Sequence, residues 1–162
     1  MSLRSRPLAA PYAVSAGTSA SSGGAPPWTI ANLVTDPGFA SAGSWTLSGS
    51  GIGTSAVAGG VLQVTSVSNV YFVLPATTIA PLLPGVYTVT YTVLTYVAGT
   101  IGTIFSTSSA LSGGTAGAAR TADGTYVETL TLPLGGYIGL AGQDAAIVNN
   151  LQVDNMTISR AA

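Results

Sequence analysis

The chain has 162 residues, of which 6% are charged, and its four arginines and five acidic residues give a net charge of −1. It contains no histidine and no cysteine. This excludes histidine-based catalytic triads, the usual zinc, haem and iron–sulfur sites, and disulfide bonds.

The low charge also narrows the range of partners. Four arginines provide no basic surface for a polyanion, so we expect no nucleic-acid binding. No stretch offers the ~18 unbroken apolar residues of a spanning helix, so we expect no membrane insertion. A surface this poor in charge protects weakly against aggregation, and we expect neighbouring subunits to cover much of it. A monomer with a Ser/Thr surface is the alternative.

The first segment, residues 1–31, is rich in Ser, Gly, Ala and Pro and poor in large apolar side chains. Such linker composition predicts an extended N-terminal arm without a core of its own. Two prolines interrupt its short apolar run, which favours an uncleaved arm over a secretion signal. The side chains predicted to anchor this arm on a partner are Arg4, Arg6, Pro7, Pro11, Tyr12 and Trp28.

The remainder, residues 32–162, has the pattern of short β-strands. The clearest signal lies at 86–97, where Tyr87, Val89, Tyr91 and Val93 alternate with threonines. Alternation with a period of two predicts a strand with one buried face. The other predicted strands cover residues 61–65, 70–74, 100–107, 125–132, 137–141 and 147–159. Short strands separated by Gly/Pro turns, without helical periodicity, predict an all-β sandwich or barrel.

Four local motifs occur in a characteristic order along this region. They are the opening Asn-Leu, Phe39 and Ser44-Trp45; the strand Pro84-Gly85-Val86-Tyr87-Thr88-Val89; Gly124-Thr125-Tyr126; and the closing Val153-Asp154-Asn155-Met156. Together they resemble jelly-roll carbohydrate-binding modules over residues 32–159. The resemblance implies an all-β, jelly-roll-type β-sandwich preceded by the extended N-terminal arm. Domains of this type also recur in virion proteins of tailed phages.

The resemblance further implies a structural calcium ion between the opening turn and the closing strand. The modules carry a glutamate after the opening Phe, whereas Ala40 follows Phe39 here. Calcium takes ~6–8 oxygen ligands, so the loss of one carboxylate predicts a weak site at most, with Asp36 and Asp154 as ligands. We expect no other cofactor.

Paired carboxylates are the remaining catalytic device, because no histidine or cysteine is present. Asp123 precedes a glycine and Asp144 lies in a loop-like stretch, so both fit turn chemistry. Asp154 fits a structural role, and Glu128 is expected to face solvent or an interface with Arg120. We therefore predict that the chain is not an enzyme.

Binding of a glycan requires exposed aromatic platforms and polar partners. Most aromatic residues have the parity of the core. The candidates for an exposed glycan contact are Tyr71, Tyr96 and Gln152. Tyr96 has the same parity as Thr88, Thr90 and Thr92, so we expect it on the threonine side of its strand.

Two functional hypotheses follow. The first is a virion structural protein on the virion surface, most plausibly a capsid decoration or cement protein of a tailed phage. Its arm would clamp copies of itself or major capsid or tail proteins, with a homotrimer as the first guess. The alternative is a carbohydrate-binding or host-adhesion module, which predicts a monomer with affinity for glycans.

Overall fold

The structure is a computed structural model, and it describes residues 32–48, 55–66, 72–75, 81–143 and 148–161. Within these ranges the secondary structure consists of ten β-strands and one 3₁₀ turn, Ala42–Ser44. The strands are β1 Trp45–Ser48, β2 Ala56–Ala58, β3 Val61–Ser66, β4 Phe72–Pro75, β5 Gly85–Ala98, β6 Gly102–Ser106, β7 Thr115–Ala116, β8 Gly124–Leu132, β9 Tyr137–Ala141 and β10 Asn149–Arg160.

These strands form two antiparallel five-stranded sheets. Sheet I has the order β1-β4-β9-β6-β7, and sheet II has the order β2-β3-β10-β5-β8. Neighbours in each sheet are mostly distant in sequence, as in a jelly roll, where the chain crosses repeatedly between the sheets. The predicted all-β, jelly-roll-type β-sandwich is confirmed.

The hydrophobic core lies between the sheets and follows the alternation of the long strands. On β5, Tyr87, Val89, Tyr91 and Val93 are at most 1% exposed, and the intervening threonines point away from the core. Sheet I contributes fully buried side chains such as Leu140 from β9. Burial of a large apolar side chain stabilises a fold by roughly 1.5–3 kcal/mol, so this layer dominates the stability.

The opening segment closes one side of the sandwich by docking on β10. The amide of Leu33 donates to the Ile158 carbonyl at 2.7 Å, and the Asn32 side chain accepts from the Ile158 amide at 3.0 Å. Phe39 is completely buried and stacks on Trp45, with ring centroids 4.1 Å apart. The opening and closing motifs of the sequence are therefore neighbours in space.

Three short strands, β1, β2 and β7, have no counterpart among the predicted strands. They contain four, three and two residues, which is too few for an alternating pattern to stand out. Tertiary pairing makes them strands.

The predicted arm and all of its proposed anchor residues, Arg4, Arg6, Pro7, Pro11, Tyr12 and Trp28, lie outside the described residues. The division into an arm and a sandwich domain stays a prediction. Among the residues that the structure does describe, no helix has the length and apolar character needed to cross a membrane.

Candidate functional site

A pocket opens at the edge of sheet I, where β6 and β7 meet the turn that follows β8. Its volume is about 210 Å³. We call it the hydroxyl pocket, and its lining consists of Phe105, Ser106, Thr107, Ser112, Gly113, Thr115, Pro133, Leu134 and Gly135. None of these residues is charged, and four of them carry a hydroxyl group.

The loop between β6 and β7 forms one wall of this pocket, and a small hydrophobic cluster around Leu111 holds it on sheet I. Leu111 is 1% exposed and packs with Ile104 and Ala141 on the outer side of sheet I. Its backbone adopts a left-handed conformation with φ 57°. Ser106 ties the loop down, because its hydroxyl donates to the Ser112 carbonyl at 3.1 Å and accepts from the Ser108 amide at 3.1 Å. This wall is therefore built on a rigid sheet.

The opposite wall is the turn after β8, and it requires glycine. Gly135 and Gly136 have φ values of 73° and 137°, a region that L side chains rarely adopt. A Cβ on Gly135 would collide with the Leu82 carbonyl oxygen, and one on Gly136 would collide with the Ser106 carbonyl oxygen. The turn thus packs backbone to backbone against its neighbours.

Three hydroxyls of the pocket remain available to a ligand. Thr107, Ser112 and Thr115 are exposed, and their side chains make no hydrogen bond to the described part of the chain. A hydroxyl both donates and accepts, so the group complements a hydroxyl-bearing ligand. The half-buried ring of Phe105 adds an apolar surface beside them. The lining contains no charged side chain that could pair with a charged ligand.

A buried ionic network lies behind β8. Glu128 is 8% exposed as a side chain and pairs with Arg120 at 3.1 Å. The same carboxylate accepts from the Thr103 hydroxyl at 2.6 Å and from the Tyr91 hydroxyl at 3.3 Å. Of the two expected placements, solvent or an interface with Arg120, the structure shows the second, because the carboxylate points between the sheets. Its expected partner, Arg120, is confirmed.

The network also shifts the titration of its partners. Burial, followed by the charge of Glu128, raises the pKa of the Tyr91 hydroxyl. For Arg120, burial acts to lower the pKa of the guanidinium, but hydrogen bonds to Tyr91 and Glu128 and the charge of Glu128 outweigh it, so the pKa is raised. With these raised pKa values, Tyr91 stays neutral and Arg120 stays charged at neutral pH, and both serve the structure.

The predicted calcium ligands lie where the opening turn meets β10. Asp36 accepts from the amides of Ala40 and Ser41, both at 2.9 Å, and from the Trp45 indole at 3.3 Å. Asp154 accepts from the Asn155 amide at 2.7 Å. No group of three or more His, Cys, Asp or Glu within the described ranges could hold a metal ion. The weak calcium site stays a prediction.

Two of the predicted glycan contacts, Tyr96 and Gln152, lie on opposite sides of sheet II. Tyr96 was expected on the threonine side of β5, and this placement was wrong. Its ring packs against the core, and its hydroxyl donates to the Gly99 carbonyl at 3.0 Å. The reason is Thr95, whose φ of 51° interrupts the alternation of the strand. Gln152 faces the other side and accepts from the Thr95 hydroxyl at 3.4 Å, and Tyr71 lies outside the described residues.

The described carboxylates all have structural partners. Asp123 accepts from the Tyr96 amide at 2.7 Å, and Asp36, Glu128 and Asp154 are engaged as above. Asp144 lies outside the described residues. This arrangement offers no pair of free carboxylates in the described part of the chain.

The residues of the hydroxyl pocket did not stand out in the sequence. The sequence predicts a turn between strands at Ser112, Gly113 and Gly114. No local pattern connects this turn with Pro133 and Leu134. Only the packing of the two loops against β6 brings these residues together.

No known family model matches the chain, and no curated protein matches it. The similar solved structures include the following two. One, described as "CBM4 structure and function", is 12% identical, with a TM-score of 0.46 over 74% of this chain and 93% of the other. The other, the N-terminal cellulose-binding domain of a Cellulomonas fimi β-1,4-glucanase C, is 15% identical, with a TM-score of 0.44 over 79% of this chain and 91% of the other. Neither likeness determines what this chain binds.

Proposed function

We propose that this chain is a non-catalytic module that binds a neutral carbohydrate in the hydroxyl pocket. The observation that carries the proposal is the lining itself, in which four hydroxyl side chains and the Phe105 ring surround about 210 Å³ without a charged group. Sugars present hydroxyls on their rim and apolar C–H faces, which match hydroxyl partners and an aromatic ring. Phosphate or carboxylate ligands lack such a match because no cation lines the pocket.

The size of the pocket limits the ligand. Sites for drug-sized ligands usually enclose ~300–1,000 Å³, so a cavity of about 210 Å³ suits one small ring. The open side leaves room for further sugar units outside the cavity. A terminal or branching sugar is therefore the expected unit of recognition.

Titration of the full chain with neutral mono- and oligosaccharides, followed by amide chemical shifts, tests the proposal. The expected shifts fall on residues 105–107, 112–115 and 133–135. Ser112→Ala and Thr115→Val should each weaken binding about fivefold, since one hydrogen bond contributes ~1 kcal/mol. Ser109→Ala, an exposed hydroxyl in the same loop that does not line the pocket, is the matched control. Shifts elsewhere, or none at millimolar sugar, would overturn the assignment.

A second candidate is the structural subunit of a phage virion expected from the sequence. The observation that favours this candidate is the threonine-rich outer side of sheet II, which we call the threonine face. It carries Thr88, Thr90, Thr92, Thr125, Thr129, Thr131, Thr157 and Ser159. These uncharged side chains lie beside Val127, which is 62% exposed, and Asp154 of β10 flanks them opposite Thr92. Purified phage capsids incubated with the labelled chain would retain it under this hypothesis, whereas the carbohydrate hypothesis requires no capsid.

A further inference from the structure

In the part of the chain that the structure describes, the two sheets end in four edge strands, and one of them differs from the rest. The edges β1, β2 and β7 contain four, three and two residues. The fourth edge, β8, contains nine residues from Gly124 to Leu132. A short edge is a common protection against unwanted strand pairing, and a long one presents a row of unpaired backbone groups.

The β8 edge also lacks a bulge, a proline and a basic side chain, and its inward-pointing charge, a further protective device, is already paired with Arg120. Its register with β5 runs without a shift from Gly85↔Leu132 to Val93↔Gly124, so no bulge bends it away. It contains no proline, lysine or arginine, and its one charge, Glu128, points inward to Arg120. Within the described residues, the backbone of β8 bonds to β5 and, at its end, to the Gly135 amide.

The side chains at this edge are complementary to themselves. Thr125, Val127, Thr129 and Thr131 are all exposed on the threonine face. Antiparallel pairing of two β8 strands would place this uncharged set opposite itself, and Thr–Thr and Val–Thr cross-strand pairs are favourable. No like charges meet, because Glu128 is neutralised by its own Arg120. Val127, which is 62% exposed, would be covered in both copies.

We propose that β8 pairs antiparallel with β8 of a second copy of this chain, across a two-fold axis near Val127 and Thr129. The pairing joins the two copies of sheet II into one continuous sheet. A second copy fits best, since both partners then carry the same neutral strand of ~30 Å length, and two-fold dimers are the commonest assembly.

Disulfide trapping in the full chain tests the pairing directly, because the natural chain has no cysteine. The variants Thr125→Cys, Val127→Cys and Thr129→Cys each introduce a single thiol along β8. Opposed Cβ atoms in an antiparallel pair lie within reach of a disulfide. Mild oxidation should link Val127→Cys or Thr129→Cys into covalent dimers. Thr65→Cys, on the outer side of β3, is the matched control and should stay monomeric on a denaturing gel.

Sedimentation and hydrogen exchange of the full chain provide the second measurement. Between about 1 and 100 µM protein, the mass should rise from monomer to dimer, and residues 124–132 should gain protection in parallel. Thr129→Lys should abolish both changes, whereas Thr65→Lys should not. A monomer throughout, equal cross-linking at Thr65→Cys, or protection of β8 that is independent of concentration would overturn the proposal. The last outcome would assign the edge to another segment of the same chain.

Discussion

At the scale of single residues, the chain uses its few charges as internal connections. Glu128 joins β8 to β6 through Thr103 and to the β7–β8 connection through Arg120 and the Ala118 amide. Arg120 also lies over the Tyr126 ring, 4.7 Å from its centroid. The buried Glu128 carboxylate accepts hydrogen bonds from both sheets and therefore links them.

Loss of the Glu128 charge should therefore destabilise the fold. Glu128→Gln leaves the Arg120 guanidinium without its counter-ion, and we expect a loss of about 2 kcal/mol in the free energy of unfolding. This lies below the range for fully buried pairs because Arg120 is 26% exposed. Urea denaturation provides the measurement. Thr65→Val, an exposed threonine on β3 outside the proposed dimer contact, is the control and should change stability by less than ~0.5 kcal/mol. An equal effect of both variants would contradict the role of the network.

Asp36 gives the stability a dependence on pH. Burial acts to raise the pKa of its carboxyl, but the amides of Ser41 and Ala40 and the side chains of Trp45 and Ser44 outweigh it, so the pKa falls below the ordinary 3.8. The unfolded chain then binds this proton at higher pH than the folded chain. The stabilisation is complete above pH ~4 and is lost as pH falls through the folded pKa.

Comparison of the wild type with Asp36→Asn checks this sign. The difference in the free energy of unfolding should be largest near pH ~6 and should shrink as the pH falls through the lowered pKa of Asp36. Ser109→Ala, which changes an exposed and uncharged side chain, is the control, and its effect should not depend on pH. A difference for Asp36→Asn that is constant across this range would refute the coupling.

At the scale of elements, two irregular positions shape the paired strands β5 and β10. Thr95 on β5 and Asn155 on β10 have φ values of 51° and 53°. Their strands shift register between Asn150 and Gln152 and between Asp154 and Thr157. Such bulges change which side of the sheet the following residues face. They turn Tyr96 and Met156 toward the core.

The residues at these two positions differ in how well they tolerate a positive φ. Asn tolerates the left-handed region, whereas β-branched Thr does not. Thr95→Asn should therefore raise the free energy of unfolding by about 0.5–1 kcal/mol, and Asn155→Thr should lower it by about 1 kcal/mol or more. Thermal and urea unfolding of both variants provide the comparison. Changes of the same sign in the two variants would contradict the conformational explanation.

At the scale of the whole molecule, two kinds of association are predicted from different parts of the chain. The arm hypothesis assigns assembly to residues 1–31, and the edge proposal assigns a dimer to β8. Carbohydrate binding depends on neither, because the hydroxyl pocket is lined by residues between 105 and 135.

Deletion of residues 1–31 separates these contributions. We expect the shortened chain to keep the β8 dimer and its affinity for sugar, and to lose any larger assembly that the arm holds. Native mass and sugar titration, measured beside the full chain, provide the test. Loss of the dimer on deletion, with the fold intact by circular dichroism, would transfer the dimer contact to the arm.

The sequence alone determined the class of fold. Alternation in the long strands β5 and β8 predicted an all-β sandwich or barrel, because each strand must bury one face. The resemblance of the ordered motifs to carbohydrate-binding modules implied the jelly-roll type. The absence of histidine and cysteine excluded most catalytic and metal sites. Local pattern did not reveal the side-chain direction of Tyr96 or the burial of Glu128, since a bulge and a cross-sheet ion pair decide them. The hydroxyl pocket and the unprotected β8 edge were decided by tertiary structure alone, because both depend on which distant segments become neighbours.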